Sequence, residues 1–126
     1  MAKAEGKIFE LLSPEFIRTE YLETVNFNES DQIIEIKTNE FSAVCPFSGL
    51  PDIAEIIIEY KPKTCIIELK SLKYYFTSFR MVGIYQEAVT ERIYKDLTKV
   101  LGTTTKVTTI YNRRGGMDVT CVKGII

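Results

Sequence analysis

The 126-residue sequence contains no histidine and no tryptophan. Without histidine, Ser-His-Asp and Cys-His catalysis are excluded, and so are most zinc sites. Cysteine is scarce: Cys45, Cys65 and Cys121 are widely spaced and form no Cys-x-x-Cys pair. An odd, dispersed set is neither a disulfide framework nor a metal knuckle, so no metal site is expected. No apolar run approaches the roughly 18 residues that suggest a membrane-spanning helix. The first ten residues mix Lys3, Glu5, Lys7 and Glu10, which leaves no apolar core for a secretory signal there. No membrane partner is expected, and a cytoplasmic setting is the default. An excess of one charge is missing too: 16 basic residues stand against 17 acidic, a net −1. A chain so balanced is not built mainly to coat nucleic acid. Any chemistry falls to cysteine, carboxylates, lysine or a bound cofactor.

What is present is an ordinary globular composition, 45% apolar and 26% charged, at a length that suits one domain. Residues 1–30 are charged and weakly periodic, with Ser13-Pro14 as a breaker. They read as an N-terminal arm with one short helix, ahead of a single domain over 31–126. From Gln32 to Val44 the residues Ile34, Ile36 and Thr38 alternate with Glu35, Lys37 and Asn39, the period of a half-buried strand. Cys45 to Asp52 holds two prolines and a glycine and reads as a loop of fixed geometry. Ile53–Tyr60 is a second strand, and 64–68 a short strand or lead-in. The period then lengthens. Leu72, Tyr75, Phe76 and Phe79 predict a helix over 69–80, and a stripe from Tyr85 and Ala88 to Leu101 predicts another over 85–101. Strands over 104–111 and 117–122 follow, joined by a loop at 112–116. Strands and helices in the order ββααββ argue an α+β fold with an antiparallel sheet. Such a sheet leaves edges and a face uncovered, so an oligomer is expected.

Several residues invite chemistry. Cys45 sits where a strand meets a proline loop, and a nearby positive charge or helix N-terminus would raise its thiolate fraction. Asp52 closes the same loop, and a thiol with a carboxylate can add to an electrophilic carbon and move protons. Lys70 and Lys73 are spaced to share a helix face in a first turn, where the helix dipole disfavours cations and an anion would offset the cost. Glu87 opens the second helix and suits an amidine edge like that of guanine. Arg113-Arg114-Gly115-Gly116 suits either a hairpin or a phosphate contact.

Together Val44-Cys45-Pro46 with Gly49, Pro51 and Asp52, the segment Glu68-Leu69-Lys70-Ser71-Leu72-Lys73-Tyr74, Ser78-Phe79-Arg80, Glu87 and Arg114-Gly115-Gly116 resemble the QueF-type nitrile reductases over about residues 32–123. These enzymes reduce 7-cyano-7-deazaguanine to 7-aminomethyl-7-deazaguanine with NADPH, in the biosynthesis of the tRNA base queuosine. The resemblance implies the tunnelling fold: a four-stranded antiparallel sheet with two helices on one face, assembled into ring oligomers with sites between subunits. It implies that Cys45 is the nucleophile that forms a thioimide with the nitrile and that Asp52 gives and takes the proton. Glu87, Glu68 and Gln86 fall at substrate-binding positions. Lys70, Ser71, Lys73 and Arg114 fall at cofactor-binding positions. Where the family commonly has histidine before the glutamate, this chain has Gln86, which donates a hydrogen bond but no proton near neutral pH.

Two other functions compete. Archaeal QueF-like amidinotransferases form the same thioimide but let ammonia attack it, making archaeosine in tRNA without NADPH. A non-catalytic purine- or pterin-binding oligomer of the same fold would make no adduct at Cys45.

Overall fold

A computed structural model describes residues 2–29 and 31–126. Among them run β1 (Thr24–Asn26), β2 (Ile34–Val44), β3 (Pro51–Tyr60), β4 (Cys65–Ile67), α1 (Leu69–Thr77), α2 (Gln86–Leu101), β5 (Thr105–Arg114) and β6 (Met117–Lys123). Strands β2-β3-β5-β6 make one antiparallel sheet in that spatial order. Its order ββααββ is that of the tunnelling fold. No helix among the described residues is long and apolar enough to cross a membrane.

Both helices cover the same sheet face. Alternate side chains of β3 (Ala54, Ile56, Ile58, Tyr60) and β5 (Val107, Tyr111) meet Leu72 and Tyr75 of α1 and Val89, Ile93, Leu97 and Leu101 of α2 in one buried cluster. Period two on the strands meets a helical stripe, which is why this face closes. In β2 the pairing register shifts between Thr38 and Phe41. That extra length turns the inward set from the even positions Ile34 and Ile36 to the odd positions Phe41 and Ala43. The turn between β5 and β6 is only Gly115-Gly116, both with positive φ (58° and 77°). A two-residue turn of that kind matches the strand twist and needs glycine. The loop expected over 112–116 is therefore mostly strand.

Other elements depart from the sequence reading. Helix α1 stops at Thr77, short of Arg80, and the chain turns there. Tyr85 and Ala88, expected in the apolar stripe of α2, are exposed. The Tyr85 ring packs instead edge-on against Phe47, with centroids 5.8 Å apart. A strand was not expected at Thr24–Asn26, yet β1 pairs antiparallel with β4.

The arm holds two 3-10 turns, Pro14–Phe16 and Thr19–Tyr21, where one short helix was expected. From Phe9 on, it is tied to the body at several points. Ile17 and Leu22 enter the core. The Thr19 hydroxyl donates to Asp96 and accepts from Arg92, and Asp96 also accepts the Tyr75 phenol at 2.7 Å. The Ser71 hydroxyl accepts the Glu23 N–H at 3.0 Å. Ile17→Ala should therefore cost about 2–5 kcal/mol of stability, as for any well-buried isoleucine. Urea unfolding checks it; a loss of a few tenths would mean that the arm is not part of the cooperative unit.

Candidate active site

The cysteine loop is a closed ring of backbone. The Cys45 N–H donates to the Leu50 carbonyl at 2.9 Å, and the Gly49 N–H to the Cys45 carbonyl at 2.8 Å. Gly49 has φ +73°, and a Cβ there would meet the Phe9 backbone at 2.5 Å, so the position requires glycine. Pro46 lies within this ring and Pro51 directly follows it. Inside it the sulfur is the acceptor. The Ser48 hydroxyl and the amides of Ser48 and Phe47 turn towards the thiol and lower its pKa. Burial and the Asp52 charge oppose them without reversing the shift. Neither a helix N-terminus nor a cation activates Cys45; donors of its own loop do. Sequence reasoning missed Ser48. The available signal was a hydroxyl residue three positions past the cysteine, beside a glycine. Cys65 and Cys121 are half-buried in strands. The Cys65 thiol is turned to the Leu101 carbonyl at 3.6 Å.

Asp52 is the second residue of β3 and points to the helix-covered face, where it is 5% exposed. The Arg114 guanidinium, from the end of β5, donates to its carboxylate. Asp52 and Arg114 share a cavity of about 320 Å³ with Leu50, Ile53 and Tyr111. The Tyr111 phenol donates to the Gln86 carbonyl at 3.4 Å. Burial first, then the negative charges of Cys121, Asp52 and Glu87, hold that phenol protonated well above its usual range. Glu87 itself is exposed in the first turn of α2, and Gln86 is half-buried beside it. Cys45, Asp52, Arg114, Tyr111, Gln86 and Glu87 thus gather at one end of the sheet.

Glu68, at the start of α1, lies at the other end. Val44 pairs with Pro51 at the start of β3, whereas the Tyr60 phenol at its far end accepts the Ile67 N–H beside Glu68. Ten residues of strand, about 30 Å at the usual rise, separate the two. Glu68 is the N-cap of α1: its carboxylate accepts the N–H groups of Lys70 (3.0 Å) and Ser71 (2.8 Å). An anion is therefore already present at this helix start, and it is the chain's own. Ser71 is buried, and its hydroxyl also donates to the Glu68 carbonyl at 2.7 Å. Lys73 falls in the second turn, not the first. Lys70 lines one cavity with Glu68, Ser71 and Tyr74, and Lys73 another, of about 310 Å³, with Arg80, Phe41, Leu72 and Phe76. The two lysines thus serve separate surfaces. Both are exposed, and among the described residues neither enters an ion pair. Lys73 stands over the apolar floor of Phe41, Leu72 and Phe76, whereas the Lys70 cavity is walled by Glu20, Glu23 and Glu68.

Known proteins share this chain's sequence and fold. The sequence model of the QueF-like protein family matches residues 51–124, beginning just after the cysteine loop. The NADPH-dependent 7-cyano-7-deazaguanine reductases of Thermotoga petrophila and Thermotoga maritima are each 58% identical, over 98% of this chain and 92% of theirs. The enzyme of that name from Caldicellulosiruptor bescii is 42% identical over 95% of this chain and 94% of its own. A crystal structure of an archaeosine synthase of the QueF-like type, in its apo form, superposes with a TM-score of 0.70 at 24% identity, covering 76% of this chain and 95% of that one. At that identity the likeness is one of fold.

The lowered pKa of Cys45 has a direct readout. Alkylation by iodoacetamide, followed on the Cys45 peptide, should reach half its maximal rate below the pH of an ordinary thiol. Ser48→Ala should move that midpoint upward. A midpoint unchanged in Ser48→Ala would mean that the hydroxyl does not stabilise the thiolate.

Proposed function

Since the chain belongs to the QueF-like protein family, we propose that it reduces the nitrile 7-cyano-7-deazaguanine to the aminomethyl base with NADPH. The observation that carries this reading is a thiol held among loop donors, with the buried carboxylate of Asp52 next to it. Cys45 attacks the nitrile carbon. As the C–S bond forms, one C–N π bond opens, and the thiol proton passes by way of Asp52 to the nitrile nitrogen, giving the thioimide. When bound, NADPH supplies the two hydrides that carry this carbon to the amine. The chain's own residues do the rest. Arg114 holds the Asp52 carboxylate towards the cavity, where it meets each proton demand. Glu87 accepts the amidine edge of the base from the first turn of α2. Gln86 adds a hydrogen bond but no proton, so proton transfer rests on Asp52 and water. Lys70 and Lys73 take the cofactor phosphates. Ser71 works from beneath by holding the start of α1, where Glu68 faces the pocket. A cytoplasmic setting belongs to the same reading.

The site is completed by a second copy of the chain. Glu68 lies about a strand length away from Cys45 and Asp52. One small base with its cofactor cannot bridge that gap within one subunit, but a ring of subunits brings the two ends together. Exposed apolar residues on the uncovered sheet face, Ile53, Ile110 and Val122, suit burial between copies.

Two experiments test this. Turnover should consume two NADPH per nitrile and should vanish in Cys45→Ala; nitrile consumed without NADPH oxidation, and only with ammonia and a nitrile-bearing tRNA, would replace the reductase with the amidinotransferase. Mixing inactive Cys45→Ala with inactive Glu68→Gln, dissociated and reassembled, should restore about a quarter of the activity, because some interfaces regain both intact residues. No recovery would place each site within one chain.

A further inference from the structure

The arm reaches the nucleophile. The Phe9 N–H donates to the Ser48 carbonyl at 3.0 Å. Two residues on, Leu11 fills the space where a Cβ on Gly83 would sit, 2.6 Å from the Leu11 side chain. The Leu12 N–H then donates to the Met81 carbonyl (2.7 Å), and its own carbonyl accepts the Gly83 N–H (2.8 Å). Residues 82–84 in turn hold the end of β2: the Val44 N–H donates to the Val82 carbonyl (3.0 Å), and the Ile84 N–H to the Val44 carbonyl (3.2 Å). Arm, cysteine loop and the connector leading to Gln86 and Glu87 therefore close a ring of backbone contacts around Cys45. Glycine at 49 lets the Phe9 backbone come this close, and glycine at 83 leaves room for the Leu11 side chain.

Ser48 is the joint in that ring. Its carbonyl is held by Phe9, and its hydroxyl accepts the Leu50 N–H at 3.2 Å. The same hydroxyl and the Ser48 amide are the groups that lower the Cys45 pKa most. We propose that residues 8–12 position the nucleophile: by holding the Ser48 carbonyl, the Phe9 N–H fixes the orientation in which Ser48 turns its hydroxyl and amide to Cys45 Sγ. Phe9 is thus a positioning residue that acts through Ser48 and touches neither substrate nor cofactor. Among charged groups, Asp52 acts on the sulfur from β3 and pushes against the thiolate. Glu10 on the arm and Arg80 on the connector are exposed. The donors of the loop are accordingly what the arm can alter.

The proposal rests on Cys45 as the nucleophile, but alkylation reads the thiol directly and does not depend on the identity of the substrate. Full-length protein would be alkylated with iodoacetamide across pH, with the Cys45 peptide followed by mass, and kcat and KM measured alongside. Phe9→Pro removes the N–H. It should move the alkylation midpoint up, as Ser48→Ala does, and lower kcat several-fold while leaving the nitrile KM nearly unchanged. Phe9→Ala keeps the N–H and should follow the parent profile. The double variant Phe9→Pro/Ser48→Ala should be no worse than Ser48→Ala alone. If Phe9→Pro does not fold, a chain lacking residues 1–9 removes the same donor and should show the same shift. A parent-like profile in Phe9→Pro, an equal shift in Phe9→Ala, or additive effects in the double variant would each overturn the proposal.

Discussion

A thiolate needs hydrogen-bond donors, and in this chain the cysteine loop supplies its own. The Ser48 hydroxyl and the amides of Phe47 and Ser48 stabilise negative charge on Cys45 against both burial and the nearby Asp52. Such donors are useful only while the backbone keeps them aimed. The loop is closed on itself by the Cys45–Leu50 and Gly49–Cys45 hydrogen bonds, stiffened by Pro46 within it and Pro51 after it, and held from outside by the arm and by residues 82–84. Without histidine in the chain, no imidazole is available to lower the pKa of this thiol.

The same economy shapes the surroundings. Asp52 is placed inward by the alternation of β3, and Arg114 arrives beside it because the turn at Gly115-Gly116 lets β5 run on to that residue. Tyr111, kept protonated by its burial, ties β5 to the start of α2 and so relates Asp52 to Glu87. At the opposite end Glu68 caps its own helix, and among the described residues Lys70 and Lys73 enter no ion pair.

Much of this was legible in the sequence, for physical reasons. Long strands with period two and helices with a clean stripe announce themselves, so β2, β3 and α2 emerge within two residues of their observed bounds. The proline-glycine loop marked Cys45 and Asp52 directly. Other features were hidden because they depend on partners remote in sequence. A three-residue strand such as β1 has no period to read and exists only through its pairing with β4. Ile17 and Leu22 are isolated apolar residues whose burial is decided by the helices they meet. The shift after Thr38 reversed the alternation that the first half of β2 displays. Ser71 looked like a ligand-facing hydroxyl, but it is buried and bonded to Glu23. Ser48 and Phe9 gave no signal of their own, since their roles come from where backbone groups point.

The central claim is that Cys45 forms a covalent bond with the nitrile carbon. The most direct test is the mass of the intact protein after mixing with 7-cyano-7-deazaguanine in the absence of NADPH, followed by peptide mapping. The account predicts a gain equal to the whole nitrile base, carried by the peptide that contains Cys45 and lost again when NADPH is added. No gain in mass, or a gain on the peptides of Cys65 or Cys121, would contradict it.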